Sequence, residues 1–479
     1  MVFENRLNRG RRPGERSKRS VRPPVGVRLF VTATLAVASL LLGSWSPVWA
    51  TPSPRWVTAW SAAPQGPSTV SGSGAETFSG YEYTLAAQQL VPPPAAFDDQ
   101  TVRQVMYLHF GGGALRIQLS NEFGTQPVHF GAVSVGLRAG DRGADVAPST
   151  TRPVTFGGAR ALTIPVGRNV LSDPVDLAVA PLQSVVLSIY VPGPSGPATV
   201  HGNAQQTFYT ASGNQADSST GFGFLPHGDT STPFTATATT AYYWATGIQV
   251  AATPSPGHQP RTLVTLGDSI TDGFYSSGDT NRRYPDALAR RLLADPRTNN
   301  VSVVGEAISG SRVVRDGIGP KILDRLDSQV FSHPNVAGVI YLQGINDFGT
   351  AVGQLPAATA DEVIRGYQQV AAAVHARGLP IFIGTMTPAG DLLKPAPYGF
   401  YSTPDANAKR NAVNQWLRTT GRTVFDGVID FDQVVKDPLF PEHFALRYDS
   451  GDSLHPNDAG YQAMADSIPL EFLRRISGS

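Results

Sequence analysis

The sequence predicts two successive folds: an all-β sandwich, jelly-roll-like, over residues 51–253, and an α/β domain with a parallel sheet over residues 261–479. Three observations carry this. Apolar and polar residues alternate with period two through the first stretch, as in strands with one buried face. Beyond residue 260, short apolar runs alternate with longer helix-like segments, as in parallel strands covered on both faces. A Pro-rich segment, 254–260, separates the two and reads as a linker.

The chain of 479 residues is long enough for two or three domains, each with its own core. A hydrophobic content of 41% against 16% charged residues excludes a globally disordered chain. The sequence has no cysteine, which rules out thiol nucleophiles, thiolate metal sites and disulfides.

Charge is uneven. Residues 1–50 hold nine basic residues against Glu4 and Glu15, giving +7; with a whole-chain charge of +1, the rest carries −6. A mildly acidic body offers no electrostatic footprint for nucleic acid. The basic N-terminus precedes an apolar stretch, Leu29 to Gly43, and then Val48-Trp49-Ala50, a small-x-small cleavage site before Thr51. We read residues 1–50 as a signal peptide, with export to the cell exterior or periplasm. The apolar stretch is short of the roughly 20 residues of a membrane span, so cleavage is expected rather than retention as an anchor. Arg11-Arg12 is followed by Pro-Gly-Glu, a poor twin-arginine signal, which favours the general secretory route.

In the first fold, Leu115, Ile117 and Leu119 alternate with Arg116, Gln118 and Ser120, and Val185, Leu187, Ile189 and Val191 repeat the pattern. Segment 212–240 is rich in Ser, Thr and Gly and reads as a surface excursion. In the second fold, strands are predicted at 262–267, 301–305, 337–343, 380–385 and 424–430. Helices are predicted at 283–294, 321–331, 360–377, 405–419 and 457–474, the last capped by Asn457 or Asp458.

Chemistry concentrates just after the strands. Ser269 lies in Gly267-Asp268-Ser269, at the end of the first predicted strand, where an open α/β sheet presents groups to a ligand crevice. Alone, this tripeptide is equally a turn with a capping serine. Gly310, after the second strand, offers an unobstructed backbone N–H, or is a plain turn glycine. Asn346, after the third, offers a side-chain amide, or an Asx turn. Asp452 and His455 are three residues apart, so one tight turn can present both. The other eight histidines read as incidental. Asp426, Asp430 and Asp432 read as turn chemistry and solvation rather than a metal site. No zinc signature, Walker loop, dinucleotide fingerprint or EF-hand loop is present.

Four segments in this order resemble the blocks of the GDSL/SGNH hydrolase superfamily: Gly267-Asp268-Ser269-Ile270-Thr271-Asp272-Gly273, Ile308-Ser309-Gly310-Ser311-Arg312-Val313, Gly344-Ile345-Asn346-Asp347 and Asp452-Ser453-Leu454-His455-Pro456-Asn457. The resemblance spans about residues 260–475. Arg55-Trp56-Val57-Thr58-Ala59-Trp60, the run Leu115 to Gly124 and Asp449-Ser450-Gly451-Asp452 look like a secreted bacterial acylesterase-like subgroup with an N-terminal β-domain. The chain departs from the family at Gly305 and Ala307, where Asn and Gly are often found, and at Ser311, where Asn is frequent.

The resemblance implies a flavodoxin-like α/β/α sandwich and a secreted ester hydrolase, acylesterase, carbohydrate esterase or lipase-like, with no cofactor and no metal. Ser269 would be the nucleophile, His455 the general base and then acid, and Asp452 its supporting carboxylate. Ser269 N–H, Gly310 N–H and the Asn346 side chain would form the oxyanion hole. The expected partner is a small-molecule or polysaccharide ester, with no nucleic acid and no stable membrane insertion after signal cleavage. An acyltransferase using the same triad, and a carbohydrate-binding protein with a vestigial hydrolase domain, are the alternatives. Arg312, Arg283, Tyr284, Phe274 and Tyr275 are expected to line the crevice.

Overall fold

The computed structural model describes residues 54–66, 96–228, 240–254, 258–317, 319–349, 357–390 and 401–478. The expected leader, its cleavage site, residues 255–257 of the expected linker and residues 229–239 of the expected excursion lie outside them.

The described residues before the linker form antiparallel sheets. One has the strand order Arg55–Ser61, Ala245–Ala252, Leu115–Ser120, Asn169–Leu171. A second, six-stranded, runs Leu225–His227, Phe208–Ser212, Gln100–Tyr107, Ser184–Val191, Ala132–Leu137, Arg152–Pro153, and two further sheets are two-stranded. Period-two alternation places Ile117 and Val250 of the first sheet, and Val102, Leu187 and Val133 of the second, in one shared core. Trp244 is buried there against Phe97, Phe130 and Tyr243.

The second part carries a five-stranded parallel sheet: β1 (Arg261–Gly267), β2 (Val301–Ala307), β3 (Val336–Leu342), β4 (Ile381–Gly384) and β5 (Gly427–Ile429). The order is β2-β1-β3-β4-β5. The order reverses between β1 and β3, and in doubly wound sheets ligands bind beyond the strand ends at such a switch point. The strands are almost continuously apolar because helices cover both faces; Leu263, Val264, Val339, Ile340 and Phe382 are fully buried.

The helices are α1 (Ser269–Asp272), α2 (Tyr284–Ala294), α3 (Ile322–Leu326), α4 (Ile345–Phe348), α5 (Ala360–His375), α6 (Pro404–Arg418), α7 (Phe431–Val435), α8 (Asp458–Ser467) and α9 (Leu470–Ser477). Local chemistry sets their starts. Thr359 and Glu362 form a capping box on α5, Thr403 caps α6 ahead of Pro404, and Asn457 caps α8 by accepting the N–H groups of Ala459 and Gly460. The helix expected at 457–474 is two helices, α8 and α9. Pro469 between them has no N–H to donate and its ring blocks a continuous helix. The expected helix 321–331 is α3 continued by a wider π turn, Asp327–Phe331.

Pro52–Ser479 form one compact unit. Strand Arg55–Ser61 lies along β2, an edge of the parallel sheet. Ser302 donates its hydroxyl to Thr58 O at 2.7 Å, and Ser61 donates to Gly305 O at 3.2 Å. Three histidines tie the parts together. His109 Nε2 meets Asp286 at 2.9 Å and His201 Nε2 meets Asp272 at 3.1 Å; His333 bridges Glu306 at 3.0 Å and Thr58 at 3.1 Å. They are buried structural contacts rather than incidental residues. The acidic cluster is also paired: Asp426 with His375 and Arg475, Asp430 with Arg418, and buried Asp432 with Arg410 and Arg418. Solvation is therefore not what holds Asp432. Among the described residues no group of His, Asp or Glu is arranged to hold a metal ion, and no helix is long and apolar enough to cross a membrane.

Candidate active site

Ser269 is the first residue of α1, immediately beyond β1. Asp268 caps that helix, its carboxylate accepting the Ile270 N–H at 3.1 Å. Gly273 ends it at φ +86°, a conformation open to glycine and costly for other residues; a Cβ there would also strike the Arg283 side chain at 2.0 Å. The strand thus delivers the serine at its carboxyl end, and one helical turn holds it there.

The downstream loop is wound tightly before it reaches the serine. Asp449 accepts the N–H groups of Gly451 and Ser453, and Asn457 Nδ2 donates back to Arg447 O and Asp449 O. Gly451 and Ser453 take positive φ values of 101° and 62°. This winding turns Asp452 and His455 inward together. Asp452 Oδ1 accepts the Leu454 and His455 N–H groups and the Ser450 hydroxyl, leaving Oδ2 for the imidazole.

His455 Nδ1 lies 2.5 Å from Asp452 Oδ2, and Nε2 lies 2.8 Å from Ser269 Oγ. An ionised carboxylate only accepts, so Nδ1 carries the proton and Nε2 accepts the serine hydroxyl. All three are buried, at 4%, 3% and 2% exposure for Ser269, Asp452 and His455. Burial works against the Asp452 carboxylate, but the His455 imidazole and two backbone N–H groups hold its pKa below the usual value. Phe274 and Tyr275 pack their rings 4.9 and 5.6 Å from the imidazole.

Gly310 follows β2 at φ +77°. Its turn is tied back to the first strand: Ile308 N–H and the Ser311 hydroxyl both donate to Gly267 O. Asn346 lies in α4, beyond β3. Its Nδ2 donates to Ser311 O at 3.1 Å, and its Oδ1 accepts the Tyr401 hydroxyl at 2.9 Å. The amide is therefore fixed against the residue that follows Gly310. Among the described residues the N–H groups of Ser269 and Gly310 have no acceptor.

Two carboxyls beneath this arrangement are raised by burial, Asp268 to about 7 and Asp347 to about 6. Asp347 accepts the N–H groups of Val313 and Val314, joining α4 to the loop after Gly310. Ser311, where the sequence departs from the family pattern, is a junction: its hydroxyl also accepts Gln343 Nε2 at 2.9 Å.

The structure brings Ser269, Asp452 and His455 into one hydrogen-bonded chain and ties Asn346 to the turn of Gly310. Of the expected crevice residues, Phe274 and Tyr275 flank His455. Arg283 and Tyr284 do not flank the imidazole: Arg283 pairs with buried Asp286 at 2.8 Å and lines a small cavity with His201 and Asp272, and Tyr284 is fully buried beside Phe431. Both stand at the start of α2, Arg283 facing the antiparallel part and Tyr284 in the core of the α/β part. Arg312 is buried, with one nitrogen 3.5 Å from Gly349 O. Sequence reasoning missed Asp272, Ser309 and His201, which are bonded to one another beside the serine. A carboxylate three residues after the serine in one short helix was the available signal.

Residues 265–463 match the model of the GDSL-like lipase/acylhydrolase family. No curated protein matches the chain. Among solved structures, the chain is similar to a GDSL-like lipase from Bacteroides thetaiotaomicron, at 19% identity over 44% of this chain and 87% of that one, TM-score 0.32. It is also similar to an acetyl xylan esterase, at 19% identity over 43% and 97%, TM-score 0.32. A carbohydrate acetylesterase from Sinorhizobium meliloti aligns at 15% identity over 44% and 98%, TM-score 0.35.

Proposed function

We propose that this chain, with its GDSL-like lipase/acylhydrolase domain at residues 265–463, is an exported serine ester hydrolase acting through an acyl-enzyme on Ser269. The observation that carries the reading is the chain Ser269 Oγ, His455 Nε2, His455 Nδ1, Asp452 Oδ2, with contacts of 2.8 and 2.5 Å.

As Ser269 Oγ attacks the ester carbonyl, His455 Nε2 takes its proton. Asp452, whose pKa is held low, stays ionised and supports the imidazolium. The new oxyanion is met by the N–H groups of Ser269 and Gly310 and by the Asn346 amide. In a buried site each such donor is worth roughly 10²–10³ in turnover. His455 then protonates the departing alkoxide, and water repeats the sequence on the acyl-enzyme. The basic and apolar N-terminal segment supports export through the general secretory route, and the shared core of the two antiparallel sheets supports a sandwich reading of residues 51–253.

The test is covalent labelling with a fluorophosphonate alongside turnover of short p-nitrophenyl esters. Ser269→Ala is expected to lose both labelling and turnover, by at least about 10³-fold, with its thermal transition retained. Wild-type turnover by purified Ser269→Ala protein would overturn the reading.

A further inference from the structure

We infer that His201, contributed by the antiparallel part, is a positioning residue for this ester hydrolysis, acting through Asp272 and Ser309 on the turn of Gly310. The inference rests on the function proposed above and extends the active site beyond the domain that carries the serine.

The geometry is a relay of three buried side chains. Asp272 is the last residue of α1, the four-residue helix that begins with Ser269. Its Oδ1 faces His201 Nε2 at 3.1 Å, and its Oδ2 accepts the Ser309 hydroxyl at 2.9 Å. Ser309 immediately precedes Gly310. The nucleophile and the Gly310 N–H therefore hang from opposite sides of one carboxylate, and His201 decides where that carboxylate sits.

His201 is itself immobilised. Its Nδ1 lies 2.9 Å from the Ala63 carbonyl, and its ring stacks on Tyr242 at 6.2 Å. Both ring nitrogens face groups that can only accept, a carbonyl and a carboxylate, so both must donate and the ring is an imidazolium. Burial opposes that charge and Arg283 repels it, yet Asp272 and the Ala63 carbonyl raise the His201 pKa above its ordinary value. His455 differs: its Nε2 faces the Ser269 hydroxyl, which can donate to it.

A second tie secures the same helix. Arg283 packs its side chain over Gly273, at the end of α1, and pairs with Asp286, which in turn meets His109. The nucleophile helix is thus gripped directly by His201 and indirectly by His109, both from the antiparallel part. Of the two, His201 connects to the Gly310 side, through Asp272 and Ser309.

The test uses the full chain with p-nitrophenyl acetate, a boronic acid that forms a tetrahedral adduct on the serine, and thermal unfolding. His201→Phe keeps a ring on Tyr242 but gives Asp272 no donor. It is expected to lower kcat by about 10–10²-fold with KM within about twofold, and to weaken boronate binding in parallel, because only the tetrahedral state uses the displaced N–H. His201→Gln, which can return a donor to the Nε2 position, is expected to recover most of the loss. Ser309→Ala cuts the relay while leaving the His201–Asp272 pair intact; it should lower kcat similarly even if His201→Phe folds poorly. Wild-type kcat in Ser309→Ala, a change confined to KM, or equal losses in the Phe and Gln variants would overturn the inference. Ser269→Ala in the same assay reads the underlying function separately: turnover that survives it defeats the ester hydrolase reading, whatever the His201 variants do.

Discussion

His109 and Asp286 form a buried pair between the two halves of the protein, with His109 Nε2 2.9 Å from Asp286 Oδ1. The other ring nitrogen lies 2.7 Å from Val303 O, so one histidine just past the strand Gln100–Tyr107 holds both β2 and α2. Asp286 also holds Arg283 at 2.8 Å. Burial by itself raises the Asp286 pKa, but Arg283 and the His109 bond outweigh it and hold it well below the usual carboxylate range. Stability from this group is present above the unfolded carboxylate pKa and is lost as pH falls toward the depressed folded value.

The seam predicts that the two halves unfold together. Trp56, Trp60 and Trp244 report on the antiparallel part and Trp416 on the α/β part. Urea unfolding followed by fluorescence and by circular dichroism should give one coincident transition. His109→Phe should shift it lower by about 1–3 kcal/mol, the cost of withdrawing a partner from a buried polar group. Two well-separated wild-type transitions would show that the seam does not couple the halves.

Asp452→Asn tests the carboxylate at the end of the hydrogen-bonded chain. The substitution preserves shape and an oxygen for the loop's N–H groups, but removes the charge facing the imidazolium. It also lets an amide N–H face Nδ1, favouring the tautomer with the proton on Nε2, which cannot accept from Ser269. In a triad of this design the same change lowers kcat by about 10⁴-fold, and a loss of that order is expected here with the unfolding midpoint little altered. Steady-state turnover within tenfold of wild type would remove Asp452 from the mechanism.

Asp268→Asn tests the raised carboxyl beneath the serine. Asp268 is buried and its pKa of about 7 stands against 3.8 for the ordinary group. Between those values the folded chain keeps a proton that the unfolded chain releases, so stability declines as pH rises through the window. The shift bounds this decline at about 4 kcal/mol. Asparagine keeps the cap acceptor for Ile270 and does not titrate. The variant should therefore gain on wild type between pH 4.5 and 7.5, while Asp347, at about 6, preserves part of the slope in both proteins. An unchanged difference in urea midpoint at the two pH values would refute a raised Asp268.

Much of the α/β domain was legible because its signals are local. Apolar runs marked all five strands to within a few residues, and Thr359, Thr403 and Asn457 sit where helix starts require them. The break at Pro469 was equally local and was passed over. The candidate site was legible as four short segments: three follow strands, whose ends a β/α sheet delivers to one edge, and the fourth is the tight loop before α8. Ser269 and His455 are 186 residues apart in the chain, yet each announced itself by its neighbours.

By itself, then, the sequence determined the alternation of elements, the parallel sheet and the residues delivered to its edge, since periodicity, caps and turns depend on near neighbours. Tertiary structure alone decided how the antiparallel part meets that edge. His109, His201 and His333 stand among apolar and polar neighbours like any buried histidine, and nothing near them names Asp286, Asp272 or Glu306 as partner. A buried charge is tolerable only when its counter-charge arrives with it, and that meeting exists only once the two halves have packed. The same packing set Arg283 against the antiparallel part and placed a distant histidine behind the serine's helix.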